Sequence, residues 1–234
     1  MFTKSQQFYD LLYSWKDYRA EVDKLHSLVQ ARKRSQGDLW LDVACGTGKH
    51  LELLKEWYSV EGIDLDPRML AVAKERLPNT VFQQGDFRNF DLGRRYDVVS
   101  CLFSSIAYAR DTSELEEAVR CLARHLLPGG VLVVEGFIAS DKFQPGHVQL
   151  LCADEPDMKV TRMASGEAKR GRVQFEFHYL IGRPTGIEYF LESHDLALFK
   201  DDEYAATFKR AGLAVQHDPE GLEGRSLFVG VSPQ

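Results

Sequence analysis

Residues 41–50 read LDVACGTGKH: an apolar run carrying one acid, then glycines at 46 and 48 and a lysine at 49. Glycines so spaced let the backbone take positive φ and come close to a ligand. Three ligand classes use such a turn after a first strand. A phosphate-binding P-loop needs G-x-x-x-x-G-K-[ST]. Its first glycine would fall on Val43, and His50 stands where the magnesium-binding hydroxyl belongs. The dinucleotide pattern G-x-G-x-x-G fits Gly46 and Gly48 but puts Leu51 at the third place, where a large side chain opposes close helix–strand packing. A nucleoside ligand without a pyrophosphate remains. Asp64, at the end of the next apolar run, can accept from both ribose hydroxyls. Met69, one turn later, can pack on a base, whereas Asp66 before Pro67 reads as a helix cap.

These residues need a scaffold of alternating strands and helices. Leu39–Val43, Val60–Leu65, Thr80–Gln84, Tyr96–Phe103 and Val131–Phe137 read as strands, mostly continuous apolar runs of the kind covered on both faces. Gly48–Trp57, Asp66–Leu77 and Ser113–Leu127 read as helices, the last stopped by Pro128-Gly129-Gly130. Cys101-Leu102-Phe103-Ser104 then lies at the C-terminal edge of the fourth strand, where open α/β sheets bind ligands. From about 156 to 199 the pattern alternates as half-exposed antiparallel strands do, with turn chemistry at Ala164-Ser165-Gly166 and Arg183-Pro184-Thr185-Gly186. Asp201–Ala211 returns to helix, and Leu213–Gln216 and Ser226–Val231 read as closing strands. The expectation is an α/β fold: a Rossmann-like, doubly wound, mostly parallel seven-stranded sheet with an inserted antiparallel β layer. Its parts would be a helical lid (1–36), a core (37–140), the inserted layer (141–199) and a closing helix with strands (200–234).

The bulk composition is that of a soluble domain: 234 residues, 44% hydrophobic, 27% charged. A net charge of −6 argues against a nucleic-acid partner. No apolar run approaches the roughly 20 residues that span a bilayer. None of the four cysteines forms a C-x-x-C pair, so metal-ligand spacing is absent. Free thiols and the start MFTKSQQFYD suggest a cytoplasmic protein.

VACGTGKHL resembles motif I of the class I S-adenosylmethionine (SAM)-dependent methyltransferases. Gly85-Asp86-Phe87 and Leu127-Pro128-Gly129-Gly130 follow in the order that family keeps. The resemblance implies SAM as cofactor, with Ala44, Gly46, Gly48, Asp64, Met69 and Leu102 around it. Asp86 would accept from the adenine amino group and Phe87 would pack on the ring.

A second set of stretches narrows the family. YDLLYSWKDYRAE (9–21), FSSIAY (103–108), FEFHYL, ESHDLALF and EGRSLFVG are similar to the dTDP-aminodeoxysugar N,N-dimethyltransferases of macrolide sugar biosynthesis. That likeness runs nearly end to end and implies a nucleotide-sugar acceptor and a homodimer. Tyr13 and Tyr18 would close over SAM and substrate, Tyr108 would sit near the acceptor amine, His178 and His194 would line the substrate side, and Arg225 would hold a phosphate. A sulfonium needs only a neutral nucleophile held in line. Water, Tyr108 or His178 can then take the amine proton. With no metal cluster and no Asp-His pair visible, nitrogen is favoured over oxygen as acceptor. The stretch Glu135-Gly136-Phe137-Ile138-Ala139 lacks the proline and tryptophans of the family pattern, so the sugar stays open. Another small-molecule acceptor is the first alternative; a SAM-binding protein without catalysis is the second.

Overall fold

The computed structural model describes residues 4–139 and 142–234. The expected junction of core and inserted layer at 140–141 and the first three residues of the expected lid lie outside these. The chain opens with a 3-10 turn (Ser5–Phe8), α1 (Tyr9–Leu12) and α2 (Tyr18–Gln30), the last capped by Asp17, whose carboxylate accepts from Ala20 N. Then come β1 (Leu39–Val43), α3 (Lys49–Leu54), β2 (Ser59–Asp64), α4 (Pro67–Arg76), β3 (Val81–Gln84), β4 (Tyr96–Cys101), α5 (Thr112–Arg124) and β5 (Leu126–Glu135). As read from sequence, Asp66 caps α4 and Pro67 stands at its first turn.

Four long strands follow, β6 (Val148–Glu155), β7 (Met158–Lys169), β8 (Arg172–Arg183) and β9 (Gly186–Ala197), then α6 (Asp201–Arg210), β10 (Ala214–Leu222) and β11 (Arg225–Val231). The large sheet has the order β10-β11-β5-β4-β1-β2-β3, parallel from β5 to β3, with β11 and β10 antiparallel at one edge. Strands β6 to β9 form a separate antiparallel sheet in sequence order.

The central strands of the large sheet feed two cores because their side chains alternate. Leu41, Val43, Val99 and Val134 pack under α5 and α6 with Leu115, Val119 and Phe208. Trp40, Val98 and Val133 pack on the other face under α2 to α4 with Leu25, Leu51 and Leu70. A third core joins Phe8 and Leu12 of the N-terminal segment to Val160, Tyr179 and Ile181 of the small sheet.

Two local readings are corrected. Pro128-Gly129-Gly130 does not separate helix from strand: it lies within β5. Leu126 pairs with Tyr96 and Val131 with Val98, so a bulge absorbs the three residues. Ala164-Ser165-Gly166 is no turn but the middle of β7. Gly166 is there for closeness: a Cβ on it would sit 2.7 Å from the Phe175 ring of β8.

Candidate active site

The glycine turn joins β1 to α3. Ala44, Gly46 and Gly48 all take positive φ, at 59°, 55° and 76°. A Cβ on Gly46 would meet no atom within 4 Å, so its bare face is open. Gly46 N donates to Asp64 Oδ2 at 2.8 Å, and Asp66 N to Asp64 Oδ1 at 2.8 Å. Burial pushes the Asp64 carboxyl up despite these donors. A carboxylate can accept more donors than these two.

A cavity opens over this turn. Ala44, Gly46, Asp64, Met69, Leu102 and Tyr18 line it. Its polar lining also includes Asp42, Lys49 and His50, none of which is among the ligands expected from sequence. Asp42 was visible as the single acid in the first apolar strand. Burial raises its carboxyl to about 6, with Ser100 Oγ donating to it at 2.6 Å. The donor set fits an adenosyl-amino-acid: carboxylates for ribose and ammonium, apolar side chains for the base.

Two expected cofactor residues fall elsewhere. Asp86 and Phe87 do not line this cavity. Arg88, two residues on, ion-pairs Asp86, with Nε on Oδ1 at 2.8 Å, and holds the carboxyl below its usual range. Phe87 packs against the core beneath α5. Gly48 serves as the left-handed N-cap of α3 rather than as lining.

A second, larger cavity lies between the large sheet's C-terminal edge and the inner face of the small sheet. It holds about 1690 Å³ of open space against about 560 Å³ in the first. The two meet at Tyr9, Phe103 and Ser105, which line both. Phe103 and Ser104 have φ of 53° and 60°. This strained bend is tied down by Phe103 N on Glu135 Oε2 at 2.6 Å and Ser104 Oγ on Gly136 O at 2.7 Å.

Tyr13, Tyr108 and Arg225 all line the second cavity. The Tyr13 hydroxyl accepts from Arg162 Nη1 at 2.8 Å. Arg162, itself buried, went unnoticed because the alternation of β7 shows its inward face only once the register is known. Arg225 is already engaged: its guanidinium donates to the buried Glu135 and lies 3.3 Å from Glu223. Burial raises the Glu135 carboxyl, and Arg225 opposes that rise.

Neither His178 nor His194 is among the residues that line the larger cavity. His194 is buried and does not line the cavity; it stands behind Tyr108, Nδ1 2.6 Å from the phenol oxygen. His178 belongs to the opposite face of the small sheet. In β8 the residues Val173, Tyr179 and Ile181 point inward and His178 points out, where its Nδ1 meets Tyr189 Oη at 2.8 Å. It cannot reach an amine in the cavity.

Residues 41–130 match the methyltransferase domain family. The chain is 40% identical, over 96% of its length and 89% of the relative's, to a dTDP-3-amino-3,6-dideoxy-alpha-D-glucopyranose N,N-dimethyltransferase of Streptomyces fradiae. Its fold is similar to that of DesVI from Streptomyces venezuelae, with a TM-score of 0.92, 37% identity and all of both chains covered. It is also similar to SAM-bound CalS10, an amino pentose methyltransferase from Micromonospora echinaspora, with a TM-score of 0.86, 34% identity and 99% and 97% of the two chains covered. No helix among the described residues is long and apolar enough to cross a membrane. A cavity on the glycine turn, opening into a larger one, thus goes with likeness along the whole chain, and the chain belongs to the class I, SAM-dependent dTDP-aminodeoxysugar N,N-dimethyltransferases.

Proposed function

We propose that this enzyme moves a methyl group from SAM in the first cavity to the amino group of a nucleotide-linked deoxyamino sugar in the second. The observation that carries this is the shared wall of Tyr9, Phe103 and Ser105, where a donor and an acceptor would face each other. Bound there, SAM supplies a sulfonium methyl that needs no further activation. The chain's own task is alignment and exclusion of water. Asp64 would take the ribose hydroxyls, Asp42 the cationic amino-acid end, and Met69 and Leu102 the base. Tyr18 and Tyr9, from the N-terminal segment, would close the site. On the acceptor side Tyr13 and Tyr108 would border the amine. Arg225, with Lys142 and His147 nearer the rim, would supply positive charge for a diphosphate.

Phe137 and Ile138 line the acceptor cavity where the family pattern has other residues, so sugar identity would be set there. A homodimer is part of the same proposal. Leu150, Met163, His178 and Leu191 lie in register across the four strands of the small sheet's outer face, beside Leu180 and Tyr189. An antiparallel sheet with one solvated face is expected to be polar there. This largely apolar patch around His178 suits a second copy of the chain. Four free cysteines, three of them buried, fit a cytoplasmic setting.

The test is to incubate the protein and SAM with dTDP-linked sugars carrying an amino or a hydroxyl group at C3 or C4. A gain of two methyl masses on amino sugars alone is expected. No gain on any nucleotide sugar, with SAM binding intact, would sink the sugar reading and favour another small acceptor.

A further inference from the structure

Tyr108 ends a 3-10 turn (Ser105–Tyr108) and borders the acceptor cavity. Its hydroxyl meets His194 Nδ1 at 2.6 Å. The imidazole is 1% exposed and packs on the Phe177 ring with centroids 4.6 Å apart. On its far side, Nε2 lies 3.8 Å from Glu192 Oε2. Glu192 and His194 share the inner face of β9 because strand side chains alternate. The Glu192 carboxylate is itself fixed from the N-terminal segment. Oε1 accepts from Lys4 N at 2.8 Å and Ser5 N at 3.1 Å, and Oε2 from Ser5 Oγ at 2.6 Å.

A carboxylate beside Nε2 favours the imidazole tautomer with its proton on that nitrogen. Nδ1 then carries a lone pair, and the Tyr108 hydroxyl must donate to it. We propose that Glu192, acting through His194, is a positioning residue that fixes the polarity of Tyr108, sending the phenol proton to His194 and leaving the phenol oxygen to accept an N–H from the acceptor amine. The proposal rests on the amine acceptor argued above. An amine whose N–H is held by Tyr108 keeps its own lone pair free to face the sulfonium across Tyr9, Phe103 and Ser105. A phenol with its proton turned to the cavity would donate into that lone pair and mask the nucleophile. The same polarity separates substrate from finished product. A neutral dimethylated amine has no N–H left and loses the contact.

The test combines Glu192→Gln with the 15N spectrum of His194 in the free, full-length protein. Wild type is expected to show the proton on Nε2. In Glu192→Gln the amide oxygen stays with the Lys4 and Ser5 amides, so its NH2 faces the ring and the proton moves to Nδ1. With SAM and an amino sugar, kcat of Glu192→Gln falls about tenfold to a hundredfold while SAM affinity holds. In a Tyr108→Phe background the same change costs nothing more. An Nδ1–H tautomer in a wild type that does methylate amines would overturn the positioning role alone. So would an equal loss from Glu192→Gln in both backgrounds. An Nε2–H tautomer with no amine methylated would instead sink the amine acceptor, and with it the use of the phenol oxygen.

Discussion

The cavities proposed for donor and acceptor share three residues, yet the chain builds them in different ways. Most of the donor lining comes from one stretch between Asp42 and Ser105, with Tyr9 and Tyr18 added from the N-terminal segment. Strand ends and turns place it: the positive φ at Ala44 and Gly46 and the end of β2 at Asp64 are local facts of the βαβ unit. The lining of the larger cavity comes from seven separated stretches, represented by Tyr13, Tyr108, Phe137, Arg162, Phe175, Leu196 and Arg225. Its charges are also bound to one another, as Glu135 with Arg225. A locally built site can be altered one ligand contact at a time. A site held by long-range pairs couples function to folding.

The largest expected effect tests that coupling. Arg225→Ala leaves the fully buried Glu135 carboxylate without its counter-charge and should cost about 3–5 kcal/mol of stability. Denaturant unfolding measures it. A loss below about 1 kcal/mol would mean that the acceptor wall is as separable as the donor one. Asp64→Ala should instead weaken SAM binding by about tenfold to a hundredfold, at about 1.4 kcal/mol per factor of ten, and spare the fold. Calorimetric titration with SAM decides it, and unchanged affinity would remove Asp64 from the ribose.

A smaller effect concerns pH. The native Asp42 carboxyl stands at about 6 because of burial, above the ordinary value of about 4. The native state therefore holds that proton more tightly than the unfolded chain does. Stability should fall as pH rises from about 4 to about 6 and level off above. Unfolding of wild type and Asp42→Asn across that range checks the sign, since the variant should lack this slope. SAM affinity should rise over the same window as Asp42 becomes a carboxylate. The smallest effect belongs outside both cavities. His178→Ala should leave kcat unchanged in the methyl-transfer assay, and a large fall would contradict its outer-face position. Leu150→Lys with Leu191→Lys should shift the protein towards monomer by sedimentation, with the fold intact.

Legibility in the sequence follows the same divide. The glycine turn, Asp64 and the Asp66–Pro67 cap sit where the residue types put them, because each depends on backbone φ or on a neighbour a few residues away. Asp86 looked like a ligand of equal standing, but the nearby Arg88 captures its carboxylate, and side-chain pairing of that kind leaves no periodic trace. Gly166 looked like a turn because a glycine's need for room beside Phe175 and its need for positive φ use the same letter.

By itself, the sequence determined the alternation of strands and helices in the core, the glycine turn of its first βαβ unit and the family, since these rest on local periodicity and contiguous motifs. Only the tertiary structure decided which face of the small sheet looks into the cavity. That choice sends His178 outward, puts His194 behind Tyr108, and brings Arg162 to Tyr13. The reason is geometric: alternation along a strand says that neighbours face opposite ways, and only the packing of one sheet against the rest of the molecule says which way is in.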